Sequence, residues 1–208
     1  MVYISGKTNK NRRGKMNFFD EMASRWDNIC YHDPVKLRFM LSRLCMHPGD
    51  SVLDVGTGTG VMIPFLREII GTKAPVTAVD SSTGMISVAR SKFRHDEHTR
   101  FFVQDIEKDT PVQQYDHIIL YSVFPHLYDK IAVISHLVKR NLKSKGALLI
   151  AHSQGRKELN GVHDNIETPV YSTPLIPVEE QRNIFRKAGL KVTEAYESDE
   201  MYYLLFRK

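Results

Sequence analysis

The stretch that most constrains the fold is VLDVGTGTG, residues 52–60, in which a short apolar run leads directly into three glycines. A strand, a tight glycine-rich turn and a helix together form the opening unit of many open α/β sheets. Glycine costs roughly 0.5–1 kcal/mol relative to alanine inside a regular element, and a plain turn needs only one. Three glycines so close together therefore indicate a turn against which a ligand can lie.

The chain after this unit alternates short apolar strands with amphipathic helices. The strands are predicted at 52–55, 75–80, 100–105, 115–121 and 146–152, and the helices between them at 60–70, 82–94 and 128–142. Strands that alternate with helices predict right-handed βαβ units and a parallel sheet covered on both faces.

The two ends of the chain depart from this alternation. Helices are predicted at 17–29 and 34–46, before the first strand, and at about 178–188, before two closely spaced strands in LKVTEAYES and EMYYLLFRK. A parallel crossover needs a dozen or more residues, so these last strands should pair as an antiparallel hairpin. The predicted fold is α/β: a doubly wound, Rossmann-like, seven-stranded and mainly parallel sheet with a C-terminal antiparallel hairpin strand.

Charge and composition favour one domain, residues 16–208, after a disordered basic tail at residues 1–15, which holds five basic residues and no acid. The charges beyond the tail nearly balance, so no nucleic-acid partner is expected. No apolar run approaches the roughly 20 residues that span a bilayer, so no membrane partner is expected either. Two cysteines are too few for a disulfide framework, which predicts a cytoplasmic location. The oligomeric state stays open.

Two acids strengthen the ligand hypothesis because they follow successive strands. Asp80 ends the second predicted strand, where a carboxylate can accept hydrogen bonds from both hydroxyls of a ribose. Asp105 ends the third, within reach of an adenine amino group. A dinucleotide site would carry G-x-G-x-x-G, whereas the third glycine, Gly60, comes one residue early. The acids and the glycine turn therefore outline a pocket for a single nucleoside.

Five segments in order resemble the motif set of class I S-adenosylmethionine-dependent methyltransferases, in the style of the small-molecule enzymes of quinone biosynthesis. They are VLDVGTGTG, VTAVDSSTGMISVAR, FFVQDIE, YDHIILYSVFPHL and NLKSKGALLIAHS. The segment FFDEMASRWD is similar to the N-terminal helix that such enzymes place over the cofactor, so helices within residues 16–46 are expected to cap the site. The resemblance covers about residues 17–152.

The resemblance implies that the cofactor is S-adenosylmethionine and indicates which residues bind it. Asp54 would orient the turn and help to bind the methionine ammonium, Asp80 would bind the ribose, and Asp105 would face the adenine. The residues expected to bind the cofactor are Asp54, Gly56, Thr57, Gly58, Gly60, Asp80, Ser81, Met85, Asp105, Ile106, Tyr121 and Ser122.

The acceptor side is predicted from three histidines that follow or end the fourth and fifth strands. His126, His152 and His163 could converge as a base, as an acceptor-binding group or as metal ligands, since neutral imidazole suits all three roles. No metal is assigned. Four other histidines are interpreted as helix or loop residues without a role in the site: His32, His95, His98 and His136.

Three further residues are candidates for binding the acceptor. Arg156 offers a fork for a carboxylate or phosphate, and Asn160 and Tyr171 lie in the same long segment after the fifth strand. The segment YSVFPH lacks the Asp-Pro-Pro-Tyr-like signature of amine acceptors, which speaks against methylation of DNA or amines.

The predicted function is methyl transfer by SN2 displacement from S-adenosylmethionine to a small molecule whose identity and acceptor atom stay open. One alternative is an NAD(P)-dependent Rossmann oxidoreductase, which the early third glycine and Asp105 disfavour. The other is a non-catalytic S-adenosylmethionine-binding or RNA-associated protein that would use the basic tail.

Overall fold

The computed structural model describes residues 18–109, 111–164 and 171–208, with the backbone alone for 162–164, so the basic tail lies outside the described residues. The helices of this part are α1 (18–22), α2 (Trp26–Ile29), α3 (Pro34–Ser42), α4 (Ile63–Ile70), α5 (Thr83–Lys92), α6 (Lys130–His136), α7 (Arg156–Asp164) and α8 (Val178–Lys187). The strands are β1 (Val52–Val55), β2 (Val76–Asp80), β3 (Thr99–Val103), β4 (Tyr115–Tyr121), β5 (Leu142–His152), β6 (Val192–Glu197) and β7 (Tyr202–Arg207). A 3-10 turn, Ala23–Arg25, joins α1 to α2, and a second, Phe124–His126, follows β4.

The seven strands form one sheet in the order β3-β2-β1-β4-β5-β7-β6. Neighbours from β3 to β5 pair in parallel, whereas β7 runs antiparallel to both β5 and β6. The predicted mainly parallel sheet with a C-terminal antiparallel hairpin is therefore confirmed. Apolar clusters cover both of its faces, which explains why all four residues of β1 are buried.

The strand order also predicts where a ligand binds. The chain passes from β1 outward through β2 and β3, and then returns to β4 on the opposite side of β1. The connections that leave the carboxyl ends of β1 and β4 therefore diverge, and an open α/β sheet binds its ligands in the crevice at such a point.

The predicted helix 128–142 differs from the observed structure. The α-helix ends at His136, a π-helical turn covers Leu137–Asn141, and β5 begins at Leu142 rather than near 146. Asn141 is buried, and its side-chain amide donates to the backbone carbonyls of Pro111 and Gln113. These bonds hold the last residue of the π-helical turn against the loop before β4.

The N-terminal helices form where they were predicted, although α3 ends four residues earlier. Asp33 caps α3, since its Oδ1 accepts from the backbone N–H of Val35 at 2.9 Å, and Pro34 occupies the first turn. None of the helices in the described part of the chain is long and apolar enough to cross a membrane.

Candidate active site

A cavity lies at the carboxyl ends of strands β1 to β4, at the point that the topology predicts. It encloses about 920 Å³ of empty space, including the solvent at its mouth. Eleven of the twelve residues predicted to bind the cofactor line it, and Gly60 does not. The remaining lining residues are Phe19, Trp26, His32, Val55, Val61, Met62, Val79, Gln104, Glu107, Val123, His126 and Leu127.

The three glycines of the turn all have positive φ but differ in what surrounds them. A Cβ on Gly56 would lie 2.5 Å from the Val123 side chain, and one on Gly60 would lie 2.5 Å from the Phe93 ring. A Cβ on Gly58 would meet only Trp26 Nε1, at 4.0 Å. Gly56 and Gly60 therefore serve close packing within the protein, and Gly58 leaves its space to the cavity.

Asp54 is an acid buried within the site. It is 1% exposed, and its Oδ2 accepts a 2.6 Å hydrogen bond from Thr57 Oγ1. Its Oδ1 has no hydrogen-bond partner among the described residues. Burial raises the pKa of Asp54 to about 7; the Thr57 hydrogen bond opposes the rise and nearby Asp80 adds to it. A ligand ammonium would both pair this oxygen and keep the carboxyl ionised, so the residue fits the role predicted for it.

The other two acids predicted to bind the cofactor accept hydrogen bonds from the backbone. Asp80 accepts from Gly58 N at 2.9 Å through Oδ2 and from Ser82 N at 2.9 Å through Oδ1. These bonds join the glycine turn to the start of α5. Asp105 accepts from Glu107 N at 3.1 Å and forms an ion pair with Lys108 at 2.9 Å. Both carboxylates thus have fixed positions in the cavity wall.

The N-terminal helices form the opposite wall of the cavity. Phe19 contacts Trp26 and His126 edge-on, with ring centroids 5.5 and 5.6 Å apart. Asp20 accepts from Ser82 Oγ at 2.6 Å and from Gly84 N at 2.7 Å, so α1 is bonded to the first turn of α5. Asp27 accepts from the Thr59 hydroxyl and from Lys92 Nζ.

The three predicted catalytic histidines have different surroundings. His126 lines the cavity, and its Nδ1 donates to the backbone carbonyl of Tyr171 at 2.9 Å. His152 is buried and does not line the cavity. It lies opposite Tyr202 in the pairing of β5 with β7, and the two rings meet edge-on. The side chain of His163 lies outside what the structure describes. The described residues contain no group of three or more His, Cys, Asp and Glu placed to hold a metal ion.

None of the residues predicted to bind the acceptor lines the cavity. Arg156 pairs with Glu197 at 2.6 Å, and both ends of the Asn160 amide bond the backbone of Leu175. The Arg156 ion pair instead attaches α7 to β6, and the Asn160 bonds attach it to the segment that leads into α8. The ring of Tyr171 stacks on Tyr128 with centroids 3.7 Å apart, so this residue reaches the site only through its carbonyl on His126.

The structure adds one polar residue that sequence reasoning had set aside. His32 lines the cavity, and its Nδ1 lies 2.9 Å from the hydroxyl of Tyr121. The sequence does show that His32 directly precedes the Asp33-Pro34 start of α3. A capped helix start fixes the direction of the residue before it. The sequence does not show that this helix start lies beside the end of β4.

Comparisons with known proteins agree with this geometry. A family model described as a methyltransferase domain matches residues 46–199. The malonyl-[acyl-carrier protein] O-methyltransferase of Anoxybacillus flavithermus is 30% identical over 133 residues, which are 64% of this chain and 50% of that protein. The chain spans about half or less of the length of the first curated relatives that it matches.

Two solved structures share the fold over nearly the whole chain. A complex of the Haloferax volcanii Trm112 methyltransferase activator with a methyltransferase superposes with a TM-score of 0.76 at 20% identity, covering 94% of this chain and 96% of that chain. A SAM-dependent methyltransferase from Aquifex aeolicus gives 0.69 at 22% identity, covering 90% and 97%. Since the family match extends over well more than half of its residues, the chain belongs to the class I S-adenosylmethionine-dependent methyltransferases.

Proposed function

We propose that this chain transfers a methyl group from S-adenosylmethionine, bound over the glycine turn, to a small-molecule acceptor. One observation carries the proposal: the buried Asp54 keeps one oxygen without a partner among the described residues, beside the open space at Gly58. A buried carboxyl oxygen without a hydrogen bond is costly, and a ligand cation would remove that cost.

The other cofactor contacts follow from the order of the strand ends. Asp80 is the acid for the ribose hydroxyls, since its oxygens are already oriented by the turn and by α5. Asp105 and Ile106 lie beyond β3, in the part of the wall that would meet the adenine, together with Met85. Tyr121 and Ser122, at the end of β4, would border the methyl group.

The bound cofactor would supply an activated methyl group on a sulfonium. The task of the protein is then to align the acceptor and to exclude water, and good alignment alone lowers a barrier by roughly 7–11 kcal/mol. Phe19 and Trp26 supply apolar cover on one side of the cavity, and Val123 and Leu127 supply it on the other. Four acids in the lining match the positive charge of the sulfonium.

Calorimetric titration with S-adenosylmethionine and with its demethylated product tests this proposal. Asp80→Ala is expected to weaken both by tenfold or more, which is about 1.4 kcal/mol. Asp199→Ala, an exposed acid between β6 and β7, is the matched control and should bind as the parent does. Equal affinity in the Asp80 variant would show that the cofactor binds at a place other than this cavity. Binding of NAD(H) in place of the sulfonium would support the oxidoreductase alternative.

The acceptor is proposed only as a small molecule. The named relatives act on a malonyl group carried by a protein, and this substrate is a property of those proteins. The likeness to quinone-biosynthesis enzymes and the cytoplasmic location stay predictions that rest on the motifs and on the low cysteine count.

A further inference from the structure

Building on the proposed function, we propose that His32 is the general base of the transfer and that the acceptor is an uncharged O–H or S–H group, not a carboxylate. A hydrogen-bonded chain that begins at His32 carries the assignment of the base. The need for a proton that this base can remove carries the assignment of the acceptor.

The hydrogen-bonded chain runs from the N-terminal segment to β5. His32 Nδ1 lies 2.9 Å from Tyr121 Oη, and this hydroxyl lies 2.7 Å from Ser153 Oγ. The His32 and Tyr121 rings also meet edge-on with centroids 5.4 Å apart. The far nitrogen of the imidazole, Nε2, is buried and has no hydrogen-bond partner among the described residues. An acceptor hydroxyl or thiol in the cavity would provide that partner.

The direction of the hydrogen bonds from His32 through Tyr121 to Ser153 determines which His32 nitrogen can take a proton. Burial raises the pKa of Tyr121, so its phenol stays protonated and has one hydrogen to give. When this hydrogen goes to Ser153, the phenol oxygen accepts Nδ1–H from His32 and leaves the lone pair on Nε2. Protonation of Nε2 then breaks no bond in the chain, because Nδ1 keeps its hydrogen and its partner. Tyr121 is thus a positioning residue for His32.

The role of a base limits the acceptor. A carboxylate has no proton to lose at neutral pH, so a general base would have nothing to do. A neutral hydroxyl or thiol must lose its proton as the new bond forms, which is the task that His32 would perform.

The proposed step conserves atoms, electron pairs and charge. The acceptor atom uses an electron pair to form its bond to the methyl carbon, the electron pair of the broken carbon–sulfur bond stays on sulfur, and the acceptor proton moves to His32 Nε2. The charge lost at the sulfonium therefore reappears on the imidazolium, which releases its proton to solvent after the product has left.

Charged groups on two neighbouring helices act on His32. Burial lowers the pKa of its imidazole most, Asp27 on α2 opposes this, and Lys92 on α5 adds to it; Tyr121 on β4 and the neighbouring Asp33 also lie close by. The imidazole is therefore neutral at pH 7 and ready to accept a proton. Transfer should rise with pH through a value below the usual histidine pKa of about 6.5 and then level off.

Nitrogen NMR of the full chain, labelled with ¹⁵N-histidine and saturated with S-adenosylhomocysteine, tests the inference without an acceptor. The His32 signals are identified by their loss in His32→Gln, and His95→Gln, at an exposed histidine, is the control. We expect a neutral ring at pH 7 with its proton on Nδ1, and a mixed or reversed tautomer in Tyr121→Phe. A proton on Nε2, or an imidazolium at pH 7, overturns the inference. If S-adenosylhomocysteine does not bind at all, it is the proposed function that fails.

Transfer of labelled methyl to two probes gives the second test. Catechol presents a neutral hydroxyl, and the malonyl thioester of N-acetylcysteamine presents a carboxylate. We expect catechol to be the better acceptor and His32→Gln to lower its rate by about 10²-fold or more, with S-adenosylhomocysteine affinity within about twofold of the parent. Faster transfer to the carboxylate, or an unchanged catechol rate in His32→Gln, contradicts the inference.

Discussion

Single residues of this site have conformations and protonation states that the fold alone would not favour. Asp54 is a buried carboxyl whose pKa burial raises to about 7. Gly58 has φ 56°, and Ser122, at the end of β4, has φ 56° although it has a side chain. Non-glycine residues seldom adopt this left-handed region, and when they do the strain commonly marks a functional position. All three residues line the same cavity, which connects these costs to ligand binding.

Replacement of Gly58 should separate ligand contact from backbone strain. Gly58→Ala adds a methyl where only Trp26 Nε1 comes within 4.0 Å, so the added group extends into the cavity. Gly189→Ala is the matched control, because Gly189 has φ 79°, follows the end of α8 away from the cavity and has no atom within 4 Å of an added Cβ. Both variants should lose roughly 1 kcal/mol of stability, since both place alanine in the left-handed region. Only Gly58→Ala should lose S-adenosylhomocysteine affinity, by tenfold or more in calorimetry; equal affinities in the two would contradict the site.

Asp54 should make the stability of the ligand-free protein depend on pH. Its pKa in the fold is about 7, above the ordinary aspartate value of 3.8, so the folded state binds more protons than the unfolded state between those values. The free energy of unfolding should therefore fall as pH rises from about 4 to 7, by at most about 1.4 kcal/mol per unit, and this contribution should be constant above 7. Asp54→Asn should remove that part of the fall, as measured by denaturant unfolding at pH 5, 6, 7 and 8.

The same carboxyl should make cofactor binding depend on pH in the opposite sense. An ammonium ligand pairs with ionised Asp54, so S-adenosylhomocysteine affinity should increase from pH 6 to pH 8 in the parent. In Asp54→Asn the affinity should be lower and nearly constant over this range. A parent affinity that falls with pH would contradict the role given to Asp54.

At the scale of elements, the N-terminal helices close the site through polar bonds to α5 and the glycine turn. Asp20 bonds Ser82 and Gly84 at the start of α5, and Asp27 bonds Thr59 and Lys92. A Cβ on Gly84 would lie 2.9 Å from the Asp20 carbonyl oxygen, so the two elements meet at backbone distance. In α1 and α2 these acids act beside the ring contacts of Phe19 and the buried Ala23.

Loss of one of these acids should loosen the wall without unfolding the sheet. Asp20→Ala removes both acceptor bonds to the start of α5, and we expect faster cleavage of residues 18–33 by a protease and faster dissociation of S-adenosylhomocysteine. Glu21→Ala is the control, because Glu21 is the adjacent, exposed residue of the same helix. Stopped-flow dissociation and limited proteolysis measure the two effects, and identical behaviour of the two variants would show that the Asp20 bonds do not hold the wall.

Elements were predictable from the sequence where local pattern and long-range packing agree, and were misplaced where they differ. The glycine turn, Asp80 and Asp105 could be located because each follows a strand whose apolar pattern is evident. The π-helical turn after α6 was not predicted, and its last residue, Asn141, bonds the carbonyls of Pro111 and Gln113, which are 30 and 28 residues away. His152 and Arg156 stand at the correct edge in sequence, yet pairing with Tyr202 and Glu197 directs them away from the cavity. The place of His32 in the site was not predicted, because it depends on a contact with Tyr121, which is 89 residues away.

For the whole molecule, the site lies where the two halves of the sheet meet. β1 pairs with β2 on one side and with β4 on the other, and residues from the ends of all three strands line the cavity. The two apolar clusters on either face of the sheet both contain residues of these strands. A ligand in the cavity therefore contacts the centre of the fold, and its binding energy should appear in the stability of the entire chain.

Thermal unfolding should report that energy. S-adenosylhomocysteine at 100 times its Kd should stabilise the parent by about 2.7 kcal/mol, or roughly 5–11 °C in Tm for a domain of this size. If Asp80→Ala weakens binding tenfold, the same ligand concentration equals about 10 times Kd, and the gain falls to about 1.4 kcal/mol, half of the parent shift. Scanning calorimetry of parent, Asp80→Ala and Asp199→Ala measures this. A full shift retained in Asp80→Ala would mean that the ligand stabilises the chain from a site other than this cavity.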